Sequence, residues 1–570
     1  MNKTQNKSVS AKYMCAVILT VIIMLQLIAA LYFSVRKTGC HYDEYYSYYS
    51  SNVSAGLSVP DNGWMDVSDI RSEFMVLPNE GYSYGTVKLM QTYDVHPPMY
   101  YYVLHTVCSL TPGVFSKWQG LSINIFFHIL TIILLFFICR RLYRQPDDDN
   151  VLSYIPMIIT VTLYGFSPAI LSGVMFIRMY SMLTFLCFLT IYVHLNMLAG
   201  NEEYREADAT ENGHKSKIIK KQIGYAIGIL ILSFIGIMTH YYYIVFLFFT
   251  AAYTAIKLCV MPLYKGNKKP DFKNAFGYGV TVVLALVLSV IYYPAMLSHI
   301  FRGYRGTEAT QAFFDIGNLR ERAGLFVGLL DEYLLSRSFY ILILIMLLIY
   351  VYRRYKSGSN GNYESNRMHN ARLIYVVTIG YFLVVLKTAL LNAEEAVRYE
   401  MPVYGLIIMI FVCGLWNLLY VNIRQEEDGP NNKMGLYVFA VIMSVVMILQ
   451  IFNLMTGKVL FTYEGDSEGI AWAAEHRDDT IVYVYNPTNP WMIWDDSMEL
   501  MQYDKIYFIS GDNEDGITDT DVINSNHIYA YSTRSDSAEG ILDKLTENDN
   551  NVDSMTKIRE LQYADIYEIK

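Results

Sequence analysis

The sequence predicts a mainly helical, polytopic membrane protein of about eleven spans with a small α/β domain at its C-terminal end. Three observations carry that prediction. Apolar residues make up 53% of the 570 and charged ones 17%, with a mean hydropathy of +0.24. Soluble globular chains run about 45–50% apolar and about 25% charged. Apolar runs of about 20 residues recur through residues 1–456, each long enough to cross a hydrocarbon core of about 30 Å. The net charge of −9 is also unevenly spread: residues 457–570 carry 24 acidic and 8 basic side chains, net −16, and residues 1–456 carry 29 and 36, net +7. This composition excludes a disordered chain, a collagenous fibre and a disulfide-stapled mini-domain. The acidic balance argues against a nucleic-acid partner, since the phosphate backbone demands a basic face.

Taken in order, Lys3, Lys7 and Lys12 precede an apolar run from Tyr13 to Val35. It exceeds the ~7–15-residue core of a cleavable signal peptide and reads as a retained signal anchor. Further spans are expected near 118–139, 151–171, 174–198, 223–239, 241–262, 275–297, 338–352, 372–391, 399–423 and 434–456. The 338–352 run is short, and its helix is allowed to begin as early as Leu325. Basic clusters set the orientation. Arg140, Arg141 and Arg144 follow the second span, Lys215, Lys217, Lys220 and Lys221 precede the fifth, Lys265, Lys268, Lys269 and Lys273 follow the sixth, and Arg353, Arg354 and Lys356 follow the eighth. One alternating topology puts all of them on the cytoplasmic side of a plasma (inner) membrane, with the N-terminus inside and the C-terminal domain extracytoplasmic.

The segment 96–110, HPPMYYYVLHTVCSL, is too short for a span. It reads as an interfacial helix opened by Pro97 and Pro98, with Tyr100, Tyr101 and Tyr102 suited to the lipid–water boundary. The first extracytoplasmic loop, 36–117, is therefore long, and a structureless loop of that length is not expected. Residues 457–570 change period: 481–486, 505–510, 527–532 and 562–569 are β-branched and aromatic runs of strand length. Helices are expected around Ser537–Leu545 and Met492–Met501 between them. The predicted division is a membrane domain over 1–456 and an acidic α/β domain over 457–570, the latter without a phosphate-binding glycine loop. Six of the seven cysteines lie in apolar runs and only Cys40 in a polar one, so neither a disulfide framework nor a zinc site is indicated.

Ionisable residues collect at the outer ends of these spans. His41, Asp43 and Glu44 follow span 1, Asp94 and His96 precede the interfacial helix, and Arg178 and Tyr180 open span 4. His240 opens span 6, Lys387 lies in span 9, and Glu394, Glu395 and Arg398 lead into span 10. Singly, each has a simpler reading: solvated loop acids, a turn histidine, a snorkelling arginine, a packed interfacial histidine, or an i, i+4 pair of Glu394 with Arg398. Together they share one side of the membrane, where charge is costly and marks function. A carboxylate there can serve as general base toward a hydroxyl acceptor. Boundary arginines can hold the phosphate of a lipid donor and stabilise it as a leaving group. The 50 tyrosines supply surfaces for sugars and prenyl chains.

The segments His41-Tyr-Asp43-Glu44-Tyr and Asp94-Val-His96-Pro97-Pro98-Met-Tyr closely resemble signature segments of the GT-C membrane glycosyltransferases. The resemblance is nearest to glycosyltransferase family 39 and its bacterial relatives, the protein O-mannosyltransferases and lipid A aminoarabinose transferases. Arg178-Met-Tyr180, Thr239-His240-Tyr241-Tyr242 and Arg398-Tyr399-Glu-Met-Pro402 are similar to recurrent blocks of such proteins, and the likeness covers most of 13–425. It implies an inverting transfer of a hexosyl or pentosyl group from a polyprenyl-phosphate donor to a cell-envelope acceptor, a glycan, lipid or protein. It also implies Asp43 as catalytic carboxylate with Glu44 beside it. Asp94 and His96 would then shape the donor or acceptor pocket, with Tyr180 and His240 near them. Arg178 and Arg398 become donor-phosphate ligands, joined by Lys387 or by Arg302 and Arg305. The family differs on metal use, so no cofactor is required and a divalent cation (Mg or Mn) held by Asp43 and Glu44 stays open. The C-terminal body departs from the β-trefoil insertion of eukaryotic protein mannosyltransferases, so a protein acceptor does not follow. A lipid-linked-sugar transporter or flippase and a non-catalytic envelope scaffold are the alternatives.

Overall fold

The computed structural model describes residues 2–52, 59–143, 151–206, 212–261, 270–356, 371–421, 431–525, 527–534, 540–541 and 555–570. The chain is a multi-pass membrane protein. Nine of its described helices are long and apolar enough to cross a bilayer, and two bent helix pairs bring the number to as many as eleven. All eleven expected runs are represented. Arg144, Lys265, Lys268 and Lys269 lie outside the described residues, as do the side chains of Lys215, Lys217 and Lys356.

The first span, α1 (Asn2–Arg36), ends where the polar segment begins, and α2 (Tyr42–Asn52) follows five residues later. The loop continues through β1 (Asn62–Asp66), α3 (Val67–Ser72) and α4 (Tyr84–Gln91) to α5 (Met99–Ser109), the expected interfacial helix. α6 (Lys117–Tyr143) crosses next. The following apolar stretch is broken into α7 (Ile155–Gly165) and α8 (Pro168–Met175), bent by 50°. Pro168 supplies no N–H and starts a new helix, and Ser167 Oγ donates to the carbonyls of Tyr333 and Leu334 at 3.2 and 3.3 Å. α9 (Tyr180–Glu206), α10 (Asn212–Thr239) and α11 (Tyr242–Ala255) complete the central group.

The helix of the eighth span does not begin at Leu325. Leu319–Leu334 and Phe339–Tyr355 meet at 89°. Ser336 and Arg337 take positive φ of 51° and 64°, a region costly for side-chain-bearing residues. The corner is held by Phe339 N–H donating to Asp331 Oδ1 at 3.0 Å.

The C-terminal body is a six-stranded sheet of order β1-β3-β2-β4-β6-β5, where β2 is Thr480–Tyr485, β3 Lys505–Ser510, β4 Ile528–Thr533, β5 Met555–Glu560 and β6 Ala564–Ile569. The central β3-β2-β4 ladder is parallel and both edges are antiparallel. Side chains alternate between faces. Ile481, Tyr483, Phe508 and Tyr531 join the core shared with the helices, while Val482, Val484, Ile509 and Ala530 form a separate outer cluster with Val522 and Ile541. The four expected strands are present. β1, donated by the first loop with Trp64 opposite Tyr507, and the charged edge strand β5 were not anticipated. The helical turns Pro490–Asp496 and Ser497–Leu500 match the expected helix near 492–501. Of the helix expected at 537–545, only 540–541 fall within the described residues. None of the seven cysteines is in a disulfide.

Asp466, at the start of the helix Asp466–Glu475, packs against Gly39 so closely that a Cβ there would overlap its carboxylate. Burial, assisted by Glu499, pushes the Asp466 carboxyl up to about 6 from an ordinary 3.8. A raised folded value means that the stability contributed by the neutral form is complete below about pH 3.8 and is lost as pH rises through about 6. Asp466→Asn is therefore expected to stabilise the protein at pH 8 by about 1–2 kcal/mol, allowing for partial solvent screening, and to give no gain at pH 4. Thermal unfolding in one detergent at both pH values measures this, and an equal gain at both would refute it.

Candidate active site

The turn between α1 and α2 sends two adjacent carboxylates in different directions. Glu44 is fully buried: Oε2 lies 2.9 Å from Lys37 Nζ and accepts from the His41 N–H at 2.7 Å, and Oε1 accepts from the Ile177 N–H at 2.7 Å. Lys37 Nζ also donates to the Phe461 carbonyl at 2.7 Å. Glu44 thus ties the end of α1, the first turn of α2, the α8–α9 break and the entry to the C-terminal body to one point. Both its oxygens are engaged, and it does not line the cavity that Asp43 faces.

Asp43 instead faces a cavity of about 400 Å³. Its side chain is 23% exposed, with Oδ1 3.5 Å from Arg178 NH2 and Oδ2 3.4 Å from Arg398 NH2. Burial alone would raise this carboxyl, but the two guanidinium groups outweigh it and hold it below the ordinary carboxylate range. Arg178 sits in the four-residue break between α8 and α9, where no helical backbone hydrogen bonds constrain its direction. Its NH1 donates to Tyr101 OH at 3.1 Å and Ser47 Oγ at 3.3 Å. Arg398 lies in the 3₁₀ turn Ala393–Glu400, before Pro402 starts the next helix. It reaches Glu395 at 3.3 Å and stacks over Phe176 at 4.7 Å. Glu395 in turn lies 3.3 Å from His41 Nε2, and His41 Nδ1 accepts from the Asp43 N–H at 3.0 Å.

Asp94 does not line the cavity. It lies 3.2 Å from His96 Nδ1 and accepts from Tyr101 OH at 3.4 Å, fixing the ring of His96, which does line it. The His96 ring is 5.8 Å from that of His240, which is 5.6 Å from Tyr180 and 5.1 Å from Tyr242. These rings form the wall beyond Asp43. Apolar side chains, Val245, Ile300, Phe313, Phe314, Val384 and Leu390, also line the cavity.

Of the residues marked in the sequence, Asp43, His96, Arg178, Tyr180, His240, Arg305 and Arg398 line one cavity. Lys387 does not: its Nζ donates to the Asp315 carbonyl at 2.5 Å and Asn318 Oδ1 at 2.6 Å, outside the cavity. Arg302 is exposed and also lies outside it. The sequence reading missed Tyr42, His299, Tyr399 and, most notably, Arg322. This buried guanidinium lines the cavity with NH1 donating to the Ala389 and Leu386 carbonyls at 2.6 and 3.3 Å, and its Nε is unpartnered. In sequence, Leu319-Arg-Glu-Arg322 looks like an ordinary solvated helix start. Among the described residues no three His, Cys, Asp or Glu side chains converge as a metal set. Asp43 is turned to two arginines and Glu44 to Lys37.

No family model matches the chain, and no curated protein matches it. Among solved structures, the crystal structure of ArnT from Cupriavidus metallidurans bound to undecaprenyl phosphate is similar over 96% of this chain and 97% of that one, at 12% identity and a TM-score of 0.50. Spans, long first loop and terminal α/β body together therefore share the fold of that ArnT structure.

Proposed function

We propose that the protein is a glycosyltransferase that moves a sugar from a polyprenyl-phosphate donor to a cell-envelope acceptor. The observation that carries this reading is the cavity itself: a part-exposed carboxylate held between two buried arginines, in a lining that also holds a set of apolar side chains. An arginine pair fits a phosphate, and the apolar side chains fit the first prenyl units. ArnT, which shares the fold, was crystallised with undecaprenyl phosphate. The basic clusters support an extracytoplasmic cavity in the plasma (inner) membrane, with a cytoplasmic N-terminus.

In this mechanism the acceptor hydroxyl gives its proton to Asp43, and its oxygen bonds to the anomeric carbon. The bond from that carbon to the phosphate oxygen breaks, and the phosphate monoester leaves with its charge held by Arg178 and Arg398. Attack opposite the leaving group inverts the anomeric centre. Asp43 is a weak base while both arginines face it; a bound phosphate competes for them and makes the carboxylate more basic, so donor binding switches the base on.

The test uses purified protein in nanodiscs with radiolabelled polyprenyl-phosphate sugars and cell-envelope extract. Transfer of label is expected. Translocation without transfer would instead indicate a flippase, and neither would indicate a scaffold. Arg178→Ala and Arg398→Ala are each expected to weaken undecaprenyl phosphate binding by about 10-fold or more, the loss of a charge-assisted pair. Unchanged affinity in both would remove them from the phosphate site.

A further inference from the structure

Two surfaces of opposite character meet at Asp43 and Tyr42, both of which line the cavity. On the cavity side stand Arg178, Arg398, Arg305 and Arg322. On the other side, α2 meets the C-terminal body through aromatic rings. Tyr42, the residue before the base, has its ring 5.6 Å from Trp491, and Trp491 lies 5.3 Å from Tyr563. All three are only partly buried. Their neighbours are acidic: Glu395, 37% exposed, and Asp495, whose carboxyl burial pushes up to about 6, with Asp466 and Glu395 adding to the shift.

Docking of the C-terminal body does not account for this trio. Trp494, three residues on, is the anchor: it is buried, with its ring 4.6 Å from Tyr46, 4.9 Å from Tyr49 and 6.0 Å from Phe74. Trp491 remains partly exposed, with Nε1 pinned to Asn489 Oδ1 at 3.3 Å, so its ring is oriented and only partly covered. Open, oriented aromatic faces beside carboxylates provide stacking surface together with acceptors for hydroxyl groups. Asp495, in a body of net −16, and Glu395 beside it repel an anion.

We infer that Tyr42, Trp491 and Tyr563, with Asp495 and Glu395, form an acceptor subsite for a saccharide that carries no anionic substituent. The inference rests on the transferase reading and specifies the half of the reaction which that reading leaves open. The C-terminal body is then part of the substrate site: donor phosphate binds on the arginine side of Asp43, and the acceptor sugar stacks on the acidic, aromatic side.

The experiment measures binding to the full-length protein in nanodiscs by calorimetry. The probes are chitopentaose, mannopentaose and maltopentaose as neutral saccharides, pentagalacturonate as an anionic one, and undecaprenyl phosphate in a separate titration. At least one neutral oligosaccharide is expected to bind. Trp491→Ala and Tyr563→Ala should weaken it about tenfold, Trp491→Phe less than threefold, and undecaprenyl phosphate affinity should stay within twofold. Binding of pentagalacturonate alone, no saccharide binding at all, or neutral binding unchanged in both alanine variants would each overturn the inference. Should Trp491→Ala fail to fold, Tyr563→Ala and Trp491→Phe carry the comparison. Loss of undecaprenyl phosphate binding by the unmodified protein, with saccharide binding intact, would instead count against the donor reading.

Discussion

Asp43→Asn is expected to lower sugar transfer by about 10³-fold or more while leaving the protein folded. A positioned general base contributes about 10²–10⁴-fold, and an amide cannot take the acceptor proton. The same change removes the negative charge that Arg178 and Arg398 now face at 3.5 and 3.4 Å. Undecaprenyl phosphate should therefore bind Asp43→Asn as tightly as the unmodified protein, or more tightly, since phosphate and carboxylate compete for the same guanidinium groups. The opposite movements of turnover and affinity separate a catalytic role from a general loss of site structure. Turnover above a tenth of the original, measured with labelled donor, would remove Asp43 as the base.

Glu44→Ala should behave in the contrary way, one residue along. Removing one partner of a buried ion pair costs about 3–5 kcal/mol, because the other charge is left without compensation. Here Lys37 would be left at the junction of α1 with the C-terminal body, and the backbone N–H groups of His41 and Ile177 would lose their acceptor. The expected result is loss of monodisperse protein on size exclusion and a steep fall in thermal stability. Lys37→Met combined with Glu44→Gln should recover part of it by removing the orphaned charge. A Glu44→Ala protein that folds normally and lacks only transfer would move Glu44 into the chemistry.

This contrast between neighbours shows where sequence reasoning runs out. Asp43 and Glu44 are equivalent as letters: both are acidic, adjacent and just beyond a span. In α2 their side chains leave the helix about 100° apart, and that rotation alone sends one to the arginines and the other to Lys37. Arg322 shows the converse. Nothing in its local sequence sets it apart from Arg320, yet the 89° corner after Leu334 lays its helix against the cavity. Lys387, marked because a charge inside a span is costly, satisfies that cost locally on Asp315 and Asn318.

The sequence by itself determined the membrane architecture, because twenty-residue apolar runs and the placement of lysine and arginine are properties of the chain read linearly. It also determined four strands of the C-terminal sheet, whose β-branched and aromatic runs are local. Tertiary structure decided which charges meet. Arg178 lies in a helix break, Arg398 in a 3₁₀ turn, and both are more than 130 residues from Asp43 in the chain; no local periodicity encodes contacts at that separation. β1 likewise has no strand signal of its own, being a five-residue NGWMD segment that becomes a strand only because the edge of β3 offers unpaired backbone groups. Through that pairing and the rings of α2, a body that looks separate by composition is joined to the cavity carrying Asp43.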